Sequence, residues 1–552
     1  MSLKRPRLKS SLPTRATLTP RRPRPQPAAA QEGASDGLSP GRPLRAMAGE
    51  GIRPAPGDTA ARTTTSKRRL QRRTTPLEVL QEPLQAGIRK VFDLRRFLIV
   101  LGLTAGALLL PTPEGLTPAG HRALALFLFT GSILALEPAP LPIAALMVPI
   151  AQIALGIDTA SGAFAPFGQP VLFLILGSLF LAEALNKHGL IRRIALYTIV
   201  FSGGKLHSLT FGLIVVSGLL SMWVLNTATV AVLIPVAITV AQRVEPQEQA
   251  NRVLSLLLLA IAYSSSVGGM GTIMGSGENA IAAGLLDQIG DFGFLDWLKY
   301  GLPLTSVLLL LTWVLMRWTY PMTQVRINIE PAVREMERLG GLNAKEREIL
   351  LVLAVSMSLW IAGSSLEGVF GLPDTLLSSA VVAIGAVALL SIEEIVDWND
   401  LKSVNWGVFF VIGAGLSLGD ALEKTGASTW FASRLAPSLD DLPYGMILTI
   451  LVLLGFALTQ LLNNVPLGAI FAPVLITLGD ATGIAPVRLV IPTIMSIGLA
   501  YMLPGASARM TLVAVTGAVE RKEMMRTGLI VGLPSALFVL VFFYGLSLLG
   551  LI

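Results

Sequence analysis

The chain has 552 residues, 53% of them hydrophobic and 14% charged, whereas a soluble globular protein is about a quarter charged. The bilayer is therefore the expected solvent. Cysteine is absent and there are 3 histidines, which excludes a disulfide framework, a thiolate metal site and a cysteine nucleophile.

The net charge of +8 is unevenly held: residues 1–96 carry 21 Lys and Arg against 7 Asp and Glu, leaving 22 bases and 28 acids beyond. Residues 1–92 are rich in Arg, Pro, Ser, Thr and Gly and poor in aromatics. Such a segment cannot bury enough apolar area to offset the entropy of ordering, and it reads as a disordered basic cytoplasmic tail. Lys67, Arg68, Arg69, Arg72 and Arg73 lie about twenty-five residues before the first apolar segment, where positive charge holds an N-terminus in the cytoplasm and meets anionic lipid. No nucleic-acid partner is expected, although a basic tail can bind one. A bacterial inner membrane is the expected location. An organellar envelope is the alternative, because an Arg- and Ser-rich, acid-poor start is also how transit peptides look, as does a mis-assigned start upstream of Met47.

Residues 93–325 form the expected first membrane half. Its apolar segments run from Arg96 to Leu110, His121 to Ala135, Leu141 to Ile157, Val171 to Ala184 and Leu304 to Met316. Residues 326–347, with Glu330, Glu335, Glu337 and Glu346, have the mixed charge of a surface connector. Residues 348–552 form the second half, with segments from Ile349 to Ala362, Leu376 to Leu390, Val404 to Leu418 and Leu529 to Leu549. Between Leu390 and Val404 come Glu393, Glu394, Asp397 and Asp400, crowded as in a solvated loop.

Two stretches behave differently. Leu209 to Ala241 and Tyr444 to Leu478 stay apolar for over thirty residues, which as one helix at about 1.5 Å per residue exceeds a hydrocarbon core of roughly 30 Å. Asn226 sits in the middle of the first, and Asn463 with Asn464 in the second. A helical hairpin that turns at the amides fits, over 208–242 and 444–478, because polar irregular backbone at depth must be buried in protein or line a cavity. A tilted helix, or two joined spans with Asn as interhelical glue, is the alternative for either stretch alone.

Recurrence favours the hairpins. Ala184-Leu-Asn-Lys-His-Gly189 matches Ala421-Leu-Glu-Lys-Thr-Gly426, and each is followed some forty residues later by an Asn turn with Pro nine positions on, Asn226 with Pro235 and Asn464 with Pro473. An apolar helix interrupted by small residues follows each, over 253–288 and 487–518. Duplicated halves with interrupted segments in corresponding places point to a secondary transporter's site, where half-helix N-termini face an anion and freed carbonyls hold cations. Gly268, Gly269 and Gly271 alone can also serve close helix packing.

Over roughly Arg96 to Ile552 the chain resembles the divalent anion/sodium symporter family of di- and tricarboxylate and sulfate transporters. Pro111-Thr-Pro-Glu-Gly-Leu-Thr-Pro118 and Glu137-Pro-Ala-Pro-Leu-Pro142 look like that family's first two loops. Its Ser-Asn-Thr hairpin tip is kept as Asn226-Thr227, with Leu225 for Ser. At the second tip Asn464 is kept, with Asn463 for Ser and Val465 for Thr. Gly275-Ser-Gly-Glu-Asn279 and Ala506-Ser-Ala-Arg-Met510 stand where Gly-Thr-Pro-Pro-Asn is expected, losing both proline pairs.

The resemblance implies an all-α polytopic membrane protein of eleven spans, with two inverted repeats, each holding a re-entrant hairpin and a broken transmembrane helix. It also implies a homodimer in the bilayer whose transport subdomain moves as an elevator against a scaffold. It nominates Asn226, Thr227, Ser276, Asn464 and Ser507 for a small anionic substrate, and Asn226, Gly275, Asn464 and Ala506 to flank Na+. No organic cofactor is expected.

Glu278 and Arg509 fall at matching positions of the two broken helices. A buried ionisable group there is costly unless paired or facing water. Arg509 reads as a substrate countercharge and Glu278 as a proton-coupling position, with H+ replacing Na+; mutual pairing, or solvation at a membrane boundary, are the other readings.

A membrane enzyme needs a nucleophile, metal ligands or an acid/base pair at depth, and none is visible in this sequence. A related lineage of arsenite, citrate or Na+/H+ carriers, suggested by Asn463-Asn-Val-Pro466, is the rival within transporters, and a non-transporting receptor the rival outside them.

Overall fold

Both of the over-long apolar stretches fold as helix pairs. The structure, a computed structural model, describes residues 92–552 apart from 291, 323–324, 374 and 440–441. The expected basic tail, with its cluster at 67–73, lies outside the described residues.

In chain order the first half contains α1 (Leu94–Leu109), α2 (Pro118–Leu136), α3 (Leu141–Ala154), the short α4 (Ala160–Phe164), α5 (Pro170–Lys187), α6 (Leu190–Phe201), α7 (Leu206–Ser221), α8 (Asn226–Ala241), α9 (Ala250–Gly269), α10 (Gly277–Gly290) and α11 (Phe294–Thr319). The span 326–347 holds a short strand, α12 (Glu330–Leu339) and the first turn of α13 (Ala344–Phe370). That turn starts at Asn343, whose side chain accepts from Glu346 N while Glu346 reaches back to Asn343 N, a capping box that carries the charged residues into the helix. The second half continues with α14 (Ser379–Ile392), α15 (Trp398–Ser403), α16 (Trp406–Lys424), α17 (Ala427–Leu439), α18 (Tyr444–Thr459), α19 (Asn464–Thr482), α20 (Pro486–Ile497), α21 (Ala508–Val515) and α22 (Arg521–Leu548).

Among the described residues the architecture is all-α except for one antiparallel ribbon, β1 (Val244–Glu245) with β2 (Arg326–Ile327), in which Val244 faces Ile327. Among the described residues, seven helices are long and apolar enough to cross a membrane. The hairpin arms α7, α8 and α18 have 16 residues each, about 24 Å at 1.5 Å per residue, short of the roughly 30 Å core. The fourth arm, α19, has 19 residues and is one of the seven long apolar helices; each hairpin turns just before a second helix that begins on Asn226 or Asn464.

The recurring Ala-Leu-x-Lys-x-Gly has a local cause. Lys187 and Lys424 are the last residues of α5 and α16, where a cation complements the helix dipole. Gly189 and Gly426 follow at φ +72° and +70°, the left-handed conformation that ends a helix most cheaply at glycine.

Packing interleaves the halves. The first broken helix lays α9 on both arms of the first hairpin, and α20 lies on both arms of the second. The distal pieces cross over: α10 packs on α19, and α21 packs on α8. Each hairpin's second arm thus touches the broken helix of the other half.

Candidate functional site

Four helices begin in the middle of this packing, α8 at Asn226, α10 at Gly277, α19 at Asn464 and α21 at Ala508. Their unpaired first N–H groups and positive dipole ends make a region suited to anions. Asn226, Ser276, Asn464 and Ser507 are all buried, at 7%, 6%, 3% and 4% exposure, and Thr227 is half-buried.

The first half leaves groups open. One amide atom of Asn226 lies 2.9 Å from the carbonyl oxygen of Ser265, 3.1 Å from that of Gly275 and 2.5 Å from Ser221 Oγ. With its nitrogen turned inward, the orientation that satisfies both amide atoms, Asn226 donates to these acceptors. The fit depends on glycine: a Cβ on Gly269 would sit 2.2 Å from Asn226 Oδ1. Gly268 serves helix packing instead, since its Cβ would lie 2.0 Å from the Gly218 carbonyl oxygen. The hydroxyls of Thr227, half-buried, and Ser276, 6% exposed, form no hydrogen bond among the described residues.

Backbone groups exposed by the first break are met by side chains. Asn279 Nδ2 donates to the carbonyls of Gly269 and Thr272 at 2.8 and 2.9 Å. Trp297 Nε1 donates to Met270 O at 2.9 Å, and Thr272 Oγ1 donates to Met222 O at the hairpin tip, 2.5 Å away.

The second half is internally satisfied. Asn464 Nδ2 donates to Glu278 Oε1 at 3.2 Å, and its Oδ1 accepts from Thr459 Oγ1 at 3.1 Å. The one Thr459 Oγ1 proton is shared between Asn464 Oδ1 and the nearer Ile497 O, 2.6 Å away. Gln460 donates to Leu499 O at 2.9 Å and accepts from the backbone N–H groups of Tyr501 and Met502. Ser507 Oγ caps α21 by accepting from Met510 N.

Glu278 and Arg509 are 2% and 3% exposed, so neither is solvated at a boundary. Arg509 Nη2 donates to Gly498 O at 2.8 Å, a carbonyl that also accepts from Ser266 Oγ, while its Nε has no partner among the described residues. Each of the two charges is anchored to another group, Glu278 to Asn464 and Arg509 to Gly498.

Sequence reasoning did not nominate Thr459, Gln460, Asn279 or Trp297. The first two were signalled by polar side chains interrupting an apolar run just before Asn464; Trp297 carried no signal beyond its residue type.

The family described as the sodium:sulfate symporter transmembrane region matches residues 93–551. An uncharacterized transporter of Methanocaldococcus jannaschii is 30% identical over 419 residues, covering 76% of this chain and 92% of that protein. A sodium-dependent dicarboxylate transporter of Staphylococcus saprophyticus is 27% identical over 458 residues, covering 79% and 88%. Among solved structures, the YdaH transporter of Alcanivorax borkumensis shares the fold with a TM-score of 0.50 at 16% identity, covering 78% of this chain and 99% of that one.

Proposed function

Because the chain belongs to the sodium:sulfate symporter family, an integral membrane family of transporters rather than enzymes, we propose that it moves small di- or tricarboxylate or sulfate-like anions across the membrane with Na+. The observation that carries this reading is the convergence of the Asn226 amide with the Ser265 and Gly275 carbonyls at 2.9 and 3.1 Å, beside the free Thr227 and Ser276 hydroxyls.

In this mechanism the anion is held by those two hydroxyls and by the N-termini of α8 and α10, whose dipoles oppose its charge. Sodium, the co-transported ion, is held by Asn226 and the carbonyls of Ser265 and Gly275. It neutralises part of the anion's charge, so each ion favours binding of the other. Asn464 and Ser507 support the site from the second half, and Arg509 contributes positive charge without reaching into open space.

Alternating access follows an elevator path, the two hairpins and broken helices moving together against a scaffold in a homodimer. A bacterial inner membrane with a cytoplasmic N-terminus completes the reading. The sodium-dependent dicarboxylate transporter among the relatives supports both coupling ion and substrate class.

Proton coupling at Glu278 is the second reading, favoured by a buried carboxylate on Asn464. Proteoliposome uptake of succinate, citrate and sulfate, under sodium or proton gradients imposed separately, tests the two against each other.

A further inference from the structure

The tip of the first hairpin is held on its two sides by different kinds of contact. Towards the first break it is tied closely. Thr272 Oγ1 donates to Met222 O at 2.5 Å, and a Cβ on Gly271 would lie 2.9 Å from Met222 Cε. The break is joined to α11 in the same way: Trp297 Nε1 donates to Met270 O at 2.9 Å, and a Cβ on Gly301 would lie 2.6 Å from Gly271 O. Hairpin tip, break and α11 therefore form one body, which carries Thr227 and Ser276.

A second body faces it. Trp360 Nε1 of α13 donates to Ser379 O of α14 at 3.0 Å, and a Cβ on Gly363 would lie 2.7 Å from Leu377 O. A Cβ on Gly177 of α5 would lie 2.7 Å from Ala383 Cβ of α14. Among the described residues no hydrogen bond runs from 222–225 to α13. Aromatic rings make that joint instead: Trp360 stacks on Trp223, with centroids 5.9 Å apart and an interplanar angle of 10°, and lies 5.6 Å from Phe294. Beside the rings a cavity of about 550 Å³ opens between α5, α10, α11, α13 and α14, with Trp360, Phe294 and Ile273 in its wall.

Such a joint is weak and reversible. A stacked pair is worth about a factor of two to ten in an equilibrium beyond its buried area, and parting it leaves no buried polar group unpaired. We infer that Trp360 is a latch: it holds the tip of the first hairpin against α13, and the body that carries Thr227 and Ser276 moves only once Trp223 has left it, the adjoining cavity giving the rings room. The inference rests on the elevator reading above and names the contact that restrains it.

The chain has no cysteine, so a single introduced thiol reports one position. Ile273 belongs to the moving body, is 3% exposed and lines the cavity. Labelling of Ile273→Cys by a small methanethiosulfonate, on the full chain in detergent, therefore reads separation of the bodies without transport. Adding Trp360→Leu is expected to raise the labelling rate about two- to tenfold, the worth of one stacked pair, and Trp360→Phe, which keeps a ring, raises it less. Ser264→Cys, at 0% exposure within α9, is the reference and is expected to stay unlabelled throughout. Equal rates with Trp, Phe and Leu at 360, or a rise at Ser264→Cys as large as that at Ile273→Cys, overturn the latch.

Joining Trp223→Cys to Trp360→Cys with a short bifunctional thiol reagent gives the second measurement. Sodium-driven uptake into proteoliposomes is expected to stop as free thiols disappear and to return when the bridge is reduced. Uptake that continues through a completed bridge overturns the latch and leaves transport standing. Opening at Ile273→Cys in a chain that accumulates no anion overturns the transport reading and leaves the latch.

Discussion

Asn464 at the tip of the second hairpin donates to the carboxylate of Glu278, 3.2 Å away on the broken helix of the first half. This bond joins the repeats at their centre, and it takes up an amide donor that would otherwise face a ligand. Gly468 permits the approach, since a Cβ there would lie 2.6 Å from Glu278 Cβ.

Glu278→Ala leaves the buried Asn464 amide without its acceptor and is expected to cost about 1–3 kcal/mol, and Glu278→Gln less, because its amide oxygen still accepts from Asn464. Thermal melting in detergent measures both. The same Gln variant decides on proton coupling: uptake that keeps its full pH dependence removes Glu278 from that role.

The open hydroxyls should separate affinity from stability. Thr227→Ala and Ser276→Ala lose no internal bond, so melting should stay within about 0.5 kcal/mol of wild type. Each should weaken anion binding by about 1.5 kcal/mol, the low end for a hydrogen bond to a charged group, or roughly tenfold in KM. Initial uptake rates against anion concentration provide the check.

Gly269→Ala places a methyl group on the Asn226 amide. Overpacking of a close contact costs about 1–3 kcal/mol, and here the displaced group is the proposed cation ligand. Sodium-driven uptake should fall far more than protein yield, and a variant with normal sodium dependence would detach Asn226 from cation binding.

The duplicated lysines pair across the repeats: Lys187 of the first with Asp400 of the second at 2.5 Å, and Lys424 of the second with Asp158 of the first at 3.0 Å. These pairs are partly exposed, so each is worth at most about 1 kcal/mol. The hydrogen bond from Lys424 holds the Asp158 carboxyl below its usual value. A depressed carboxylate contributes stability above its unfolded pKa of about 3.9, and that contribution disappears as pH falls through the folded value. Lys424→Met should therefore narrow the difference in melting between about pH 7 and pH 3, and Asp158→Asn should do the same.

Much of this architecture was legible because the bilayer restricts the options. An apolar run over thirty residues long with an amide at its centre has few solutions at membrane depth, and Asn226 and Asn464 begin helices as that argument required. The repeat was legible because Gly189 and Gly426 must be glycine-like to end helices the same way. The division of labour between the halves was not. Whether Asn464 faces a ligand or Glu278 depends on how α10 crosses onto α19, a tertiary contact with no spacing signature. For Arg509, sequence shows a charge at a helix break but not the Gly498 carbonyl that one of its donors meets.

The most direct test is uptake of radiolabelled succinate, citrate and sulfate into proteoliposomes holding the full chain, with an inward sodium gradient and no proton gradient, and Asn226→Ala in parallel. Saturable, sodium-driven accumulation of at least one of these anions, lost in Asn226→Ala, is the predicted result. Accumulation driven only by protons, or no accumulation of any of the three, would contradict sodium-coupled anion transport.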